Sequence, residues 1–190
     1  KAKNKYMNSI SPARLRKIRV WGPGAGEAQI QPYSKVHENL SLIDLASNDY
    51  LSLSRHSQVI EAAQNSLSIE GLGAGASRLV TGTRRIHTKL EESLGNWLER
   101  ESVFLFPSGF QANLAAVMAL ANRHTDVIAD KFIHHSLLTG IKASGARLYR
   151  YAHNDLDDLK RLLCLSQKRT KRNALIITES LFSMEGSSAN

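Results

Sequence analysis

The sequence predicts an α/β protein with a mostly parallel sheet and helices on both faces. Three observations carry this reading. From about residue 86 onward, stretches with helical spacing alternate with short apolar runs. The connections between them are only a few residues long, as crossover units require. The apolar runs, such as "VFLF" and "ALIIT", lack in–out alternation and suit strands covered on both faces. In open sheets of this kind, ligands bind beyond the carboxyl ends of strands. That rule directs attention to residues 107–110, 130–136 and 178–186.

Each element has its own justification. Residues 1–20 form a basic segment that is helical from about Pro12, a residue tolerated in a first turn. Glycine and proline in 21–34 exclude long regular structure. "LSLIDLA" (40–46) reads as a strand. Residues 56–71 read as a helix with Val59, Ile60, Ala63 and Leu67 on one face and Gly71 as its stop. Residues 71–83, "GLGAGASRLVTGT", form a loop, and 86–101 an amphipathic helix through Leu90, Leu94, Trp97 and Leu98. Strands follow at 102–106, 125–130, 146–152 and 173–179. Helices lie between them at 109–122, 134–144 and 154–166. Asn154 or Asp155 caps the last helix, with acidic residues in its first turn. The domain organisation this gives is an N-terminal segment, 1–45, followed by the first part of a large domain, 46–190.

Composition narrows the function classes. The chain has 190 residues, 42% of them hydrophobic, and a formal charge of +8. Residues 1–20 hold seven basic groups and no acid, so the rest of the chain is close to neutral. A basic terminal segment is a solvated arm or helix by default, and so is the "KRTKR" loop at 168–172. No helix-turn-helix, zinc or RNP pattern supports nucleic-acid binding. No apolar run reaches the ~20 residues a membrane span needs. A single cysteine, Cys164, excludes an internal disulfide and favours a reduced, cytoplasmic setting. The chain starts at a lysine and stops within "SMEGSSAN", which reads as part of a longer protein.

Four motifs hold candidate chemistry. "GLGAGA" has G-x-G-x-G spacing, yet it follows a helix and lacks the Lys-Ser/Thr of a phosphate loop. Both nucleotide-binding readings therefore fail on context. "FPSGFQANLA" turns from a strand into a helix at Ser108, Gly109 and Phe110. The first N–H groups of that helix lack internal partners and attract anions, so a phosphate fits there. A plain helix cap by Ser108 explains the same residues. In "KFIHHSLL", His134 and His135 follow a strand end. Their i, i+1 spacing does not converge on a metal, while one imidazole can stack on a flat heterocycle. In "TESLFSMEGSS", Glu179 ends an apolar strand and Ser183 lies four residues on; a carboxylate there is a site candidate or a loop brace.

Together, "LASNDYLSLSRH", "GAGASRLVTGT", "FPSGFQANLA", "HHSLL", "YAHNDLDDL" and "TESLFSMEGSSA" resemble the α-oxoamine synthase family, in the family's order and from about residue 12 to residue 190. These are pyridoxal 5'-phosphate (PLP) enzymes of the aspartate-aminotransferase-like fold. The resemblance implies decarboxylative condensation of an amino acid with an acyl thioester. It points most closely to the biotin-synthesis branch, with L-alanine and pimeloyl-CoA or a pimeloyl carrier protein as substrates and a homodimer as the working form. A glycine-using sister ligase and a non-catalytic fragment are the alternatives. By the same resemblance, Gly109 and Phe110, with Ser108 beside them, bind the cofactor phosphate. His134 stacks on the pyridine ring and helps orient substrate. Ser183 bonds near the phenolic oxygen, Glu179 supports that wall, and Asn48 and Arg16 handle substrate. His135 stands where a small residue is usual, and Ser180 and Glu185 where Gly and Asp are commoner. No lysine of the chain matches the family's Schiff-base context, so the catalytic lysine is expected beyond residue 190.

Overall fold

A computed structural model of the chain describes residues 18, 21, 29–30, 42–169 and 173–189. The expected helix from Pro12, Arg16, and most of the Gly/Pro-rich segment lie outside the described residues. The chain divides into two compact units, with the boundary between Arg84 and Arg85.

In the first unit, β1 (Gln29–Ile30) pairs antiparallel with β2 (Leu42–Ile43); of the expected 40–46 strand, 40 and 41 lie outside the described residues and 44–46 are not paired. Helix α1 (Ser57–Glu70) follows a short 3-10 turn at Leu53–Arg55 and ends at Gly71, as its composition predicts. Its expected core face is not covered among the described residues: Val59, Ile60 and Leu67 are about half exposed. The glycine loop then runs through positive φ at Gly71, Gly73 and Gly75. Gly82 closes it: a Cβ there would lie 1.8 Å from the Ala76 carbonyl oxygen, so no other residue fits without backbone movement.

The second unit holds α2 (Arg85–Leu98), α3 (Gly109–Leu120), β3 (Thr125–Asp130), α4 (His135–Ser144), β4 (Arg147–Tyr151), α5 (Leu156–Arg169) and β5 (Asn173–Ile177). The strands form a parallel sheet in the order β4-β3-β5. Asp130 pairs in register with Tyr151, and Ala129 with Ile177, so the carboxyl ends of all three strands are level. One expectation fails here. Residues 102–106 form no strand; Phe104 is 66% exposed, and the Leu105 N–H donates to Glu91 Oε1 at 3.1 Å instead of to a neighbouring strand. Apolar, β-branched character makes a segment able to pair, but pairing itself needs an adjacent edge.

Alternation along β3 places the core on both faces. Val127 and Ala129 pack with Val117 and Ala121 of α3 and its C-cap, Ile141 of α4, Ile133, Ile177 and Phe182. Ile128 packs on the other face with Tyr151 and Leu162 of α5. Fully buried side chains such as Val127 and Ile128 each contribute roughly 1.5–3 kcal/mol. Asp126, also fully buried, accepts a hydrogen bond from Ser166 Oγ at 2.7 Å, which pins α5 to the sheet. Helices α3 and α4 approach closely at Gly140, where a Cβ would sit 2.9 Å from Val117 Cβ. Among the described residues, no helix is long and apolar enough to cross a membrane.

Candidate functional site

The carboxyl edge of the sheet gathers most of the residues singled out by the motifs. Ser108, in extended conformation, caps α3: its Oγ accepts the Gln111 N–H at 3.2 Å, and its carbonyl accepts the Ala112 N–H at 3.1 Å. The N–H groups of Gly109 and Phe110 have no acceptor among the described residues. The cap and the anion site are therefore compatible. Ser108 satisfies one orphan donor of the helix start and leaves two without an acceptor among the described residues. A Cβ at Gly109 would meet nothing within 4 Å, so the space beside this residue is open. Helix dipole and free donors together suit a phosphate, and in this respect the residues present fit the phosphate group of PLP.

His134 caps the neighbouring helix α4. Its Nδ1 accepts the Ser136 N–H at 3.2 Å and lies 2.6 Å from Ser136 Oγ. Asn113 Nδ2, from α3, donates to the same Oγ at 3.0 Å. An amide N–H can only donate, so Nδ1 presents its lone pair and a neutral ring carries its proton on Nε2. The ring is exposed. The His134 backbone N–H donates to Glu179 Oε1, which joins the end of β5 to the start of α4. This bond braces the two loops. His135 is exposed, which gives the unusual second imidazole its space.

Ser183 lies in an exposed turn after β5, within residues 181–188. That segment folds back on itself. Leu181 bridges Ser188, Phe182 N–H donates to the Ser187 carbonyl at 2.8 Å, and Gly186 N–H donates to the Phe182 carbonyl at 2.8 Å. Asn48 is exposed in a bend of the first unit. Next to it, Asp49 accepts from Ser54 Oγ at 2.5 Å and from Ser54 N–H, bonds that hold its carboxyl below the usual range. Arg16 lies outside the described residues. In the glycine loop, Arg84 Nη2 donates to the Ala74 carbonyl at 3.0 Å, and Arg78 Nε donates to Thr83 Oγ1 at 3.1 Å.

Sequence reasoning missed Asn113 and Ser136, which join α3 to α4. It also missed a buried polar group at the same edge. Asp130, fully buried, accepts from the Phe132 N–H at 2.8 Å, the Asn154 N–H at 3.0 Å and His153 Nδ1 at 3.0 Å. Burial pushes this carboxyl up, but the two amides and the imidazole outweigh it and leave it below its ordinary value. The only sequence signal was "HND" following a strand end, inside a motif used for the resemblance. Among the described residues no group of three or more metal-ligating side chains converges.

Comparison with known proteins adds one family match and three similar proteins. Residues 41–190 match the family model of the aminotransferases of class I and II. The 8-amino-7-oxononanoate synthase of Photobacterium profundum is 42% identical over 154 residues, covering 80% of this chain and 39% of that protein. Among solved structures, the 8-amino-7-oxononanoate synthase of Francisella tularensis aligns at a TM-score of 0.60 with 31% identity, over 76% of this chain and 38% of its own. Serine palmitoyltransferase of S. paucimobilis, solved with a bound PLP–myriocin aldimine, aligns at 0.69 with 28% identity, over 75% of this chain and 36% of its own. The chain spans about two fifths of the length of the curated relative it matches.

Proposed function

The chain belongs to the aminotransferase class I and II family, and on that premise we propose that the whole protein is a PLP-dependent α-oxoamine synthase. Its reaction is the condensation of L-alanine with a pimeloyl thioester, on CoA or a carrier protein, with loss of carbon dioxide, giving 8-amino-7-oxononanoate for biotin synthesis. The names of the similar proteins support the product. The observation that carries the reading is local: two unpartnered amide donors at the start of α3, tied through Asn113 and Ser136 to an exposed imidazole.

In this reading PLP, when bound, supplies the electron sink that stabilises negative charge on the amino acid's α-carbon. The chain's own residues bind and orient. The Gly109 and Phe110 N–H groups, beside Ser108, grip the phosphate. His134 covers the ring and offers its Nε2–H toward an acceptor on the substrate. Ser183 donates to the cofactor's phenolic oxygen, and Glu179 holds the His134 backbone in place. Asn48 and Arg16 grip substrate. The covalent lysine lies outside residues 1–190, so this stretch alone is inactive. The protein works as a cytoplasmic homodimer, with residues 1–45 as an arm and 46–190 as the first part of the cofactor domain.

The test is product formation by the whole protein with pimeloyl-CoA and alanine, glycine or serine in parallel. The account expects alanine to give the highest kcat/KM. A clear preference for glycine or serine, or no reaction with any pimeloyl thioester, overturns the substrate assignment.

A further inference from the structure

His153 sits just after β4, between Asp130 at the end of β3 and the segment that follows β5. Its Nδ1 lies 3.0 Å from Asp130 Oδ1 and 3.2 Å from Oδ2. An ionised carboxylate only accepts, so Nδ1 carries a proton. In the neutral ring Nε2 is then an acceptor, and Ser187 Oγ, 2.8 Å away, is the hydroxyl that meets it. The ring is held on its sides as well. Phe132 lies tilted against it with centroids 4.8 Å apart, and Phe182 meets it edge-on at 4.5 Å. The adjoining Asn154 Nδ2 donates to the Ser188 carbonyl at 2.8 Å.

All of these partners beyond Asp130 and Phe132 belong to the folded-back segment 181–188. Phe182 is the anchor, 1% exposed, while Leu181 and residues 183–186 are exposed. The segment's own backbone bonds are few, and ordering its residues costs on the order of 1–2 kcal/mol each. The fold supplies two tethers: Phe182 packs in the core, and His153 with Asn154 holds the base of the segment at Ser187 and Ser188.

We propose that His153 is a positioning residue: held by Asp130, it fixes the 181–188 hairpin through Ser187 and Phe182, and so sets where Ser183 stands at the carboxyl edge. This rests on the assignment of Ser183 to the cofactor wall. Carboxylate, imidazole and hydroxyl in this order also build the nucleophile of serine hydrolases. Here the hydroxyl instead closes the base of a hairpin, and the Ser187 carbonyl is itself engaged by Phe182.

The experiment uses the whole protein with PLP bound and the variants His153→Phe, His153→Gln, Ser187→Ala and Ser183→Ala. Amide hydrogen exchange in 181–188 and the PLP dissociation constant are measured for each. Loss of the tether in His153→Phe is expected to speed exchange at Phe182 and Gly186 and to weaken PLP binding, each roughly tenfold. Ser187→Ala is expected to move both in the same direction by less, and it removes the dependence on His153→Phe folding. His153→Gln, which keeps one donor and one acceptor, is expected to recover most of the loss. Ser183→Ala is expected to weaken PLP binding with exchange at the hairpin base unchanged. Wild-type exchange in both His153→Phe and Ser187→Ala overturns the brace. Faster exchange with unchanged PLP affinity overturns the positioning role; if Ser183→Ala also leaves affinity unchanged, the Ser183 assignment is what has failed. Labelling of Ser187 by a fluorophosphonate overturns the proposal in favour of a nucleophile.

Discussion

Ser136 directs two hydrogens at one ring nitrogen of His134, and Asn113 makes this possible by donating to the serine oxygen. Replacing Asn113 by Asp reverses the relay. The new carboxylate accepts a hydrogen bond from the serine O–H, and Nδ1 loses a donor. In the whole protein Asn113→Asp is expected to lower kcat/KM about tenfold with alanine, the size of one lost hydrogen bond at the site. Kinetics at the wild-type level contradict the relay. At Asp130, hydrogen bonds to the ionised form outweigh burial. Its folded-state pKa lies below the unfolded value, so the carboxylate stabilises the fold above about pH 4, and this contribution is lost as pH falls through the lowered value. Asp130→Asn is expected to cost about 1–3 kcal/mol at neutral pH and to flatten the acid limb of a melting-temperature profile. An unchanged acid limb contradicts this. Neither network was legible in the sequence. Asn113 and Ser136 are separated by 23 residues, and only the packing of two helices joins them. Ser108 was legible as a cap, because the physics of a helix start depends on local sequence alone.

At the scale of elements, what periodicity and capping encode came through. Strand β3 falls on the expected residues, and α3, α4 and β4 fall within one or two residues of expectation at each end. The last helix begins at Leu156, with Asp155 Oδ1 accepting the N–H groups of Asp157 and Asp158 as a cap. Residues 102–106 show the limit, since a strand exists only where another edge receives it. Gly140 shows another: composition marks it as a weak point in a helix, whereas the fold uses it to bring α4 against Val117 and the Leu114 carbonyl oxygen. Gly140→Ala is expected to destabilise the protein by about 1–3 kcal/mol through overpacking. A thermal melt at or above the wild-type midpoint contradicts the close approach.

For the molecule as a whole, the α/β class and the parallel order were legible because alternating helices and uniformly apolar strands admit few other arrangements. The apolar stripes of α1 and α2 were legible as stripes. What covers them was not, because periodicity reports a face and not its partner; Val59, Leu67, Leu90 and Trp97 are all substantially exposed. The family relationship binds the pieces together, since the matched residues 41–190 include every described site residue. The central claim is that the start of α3 grips the PLP phosphate. Proline is tolerated as the first residue of a helix, and Ser108 already has the extended backbone that must precede it. Gly109→Pro therefore deletes one donor while leaving the helix start intact. The most direct measurement is the PLP dissociation constant of the whole protein carrying this change. The account predicts a rise of at least about tenfold with the melting temperature of the PLP-free protein unchanged; wild-type affinity contradicts it.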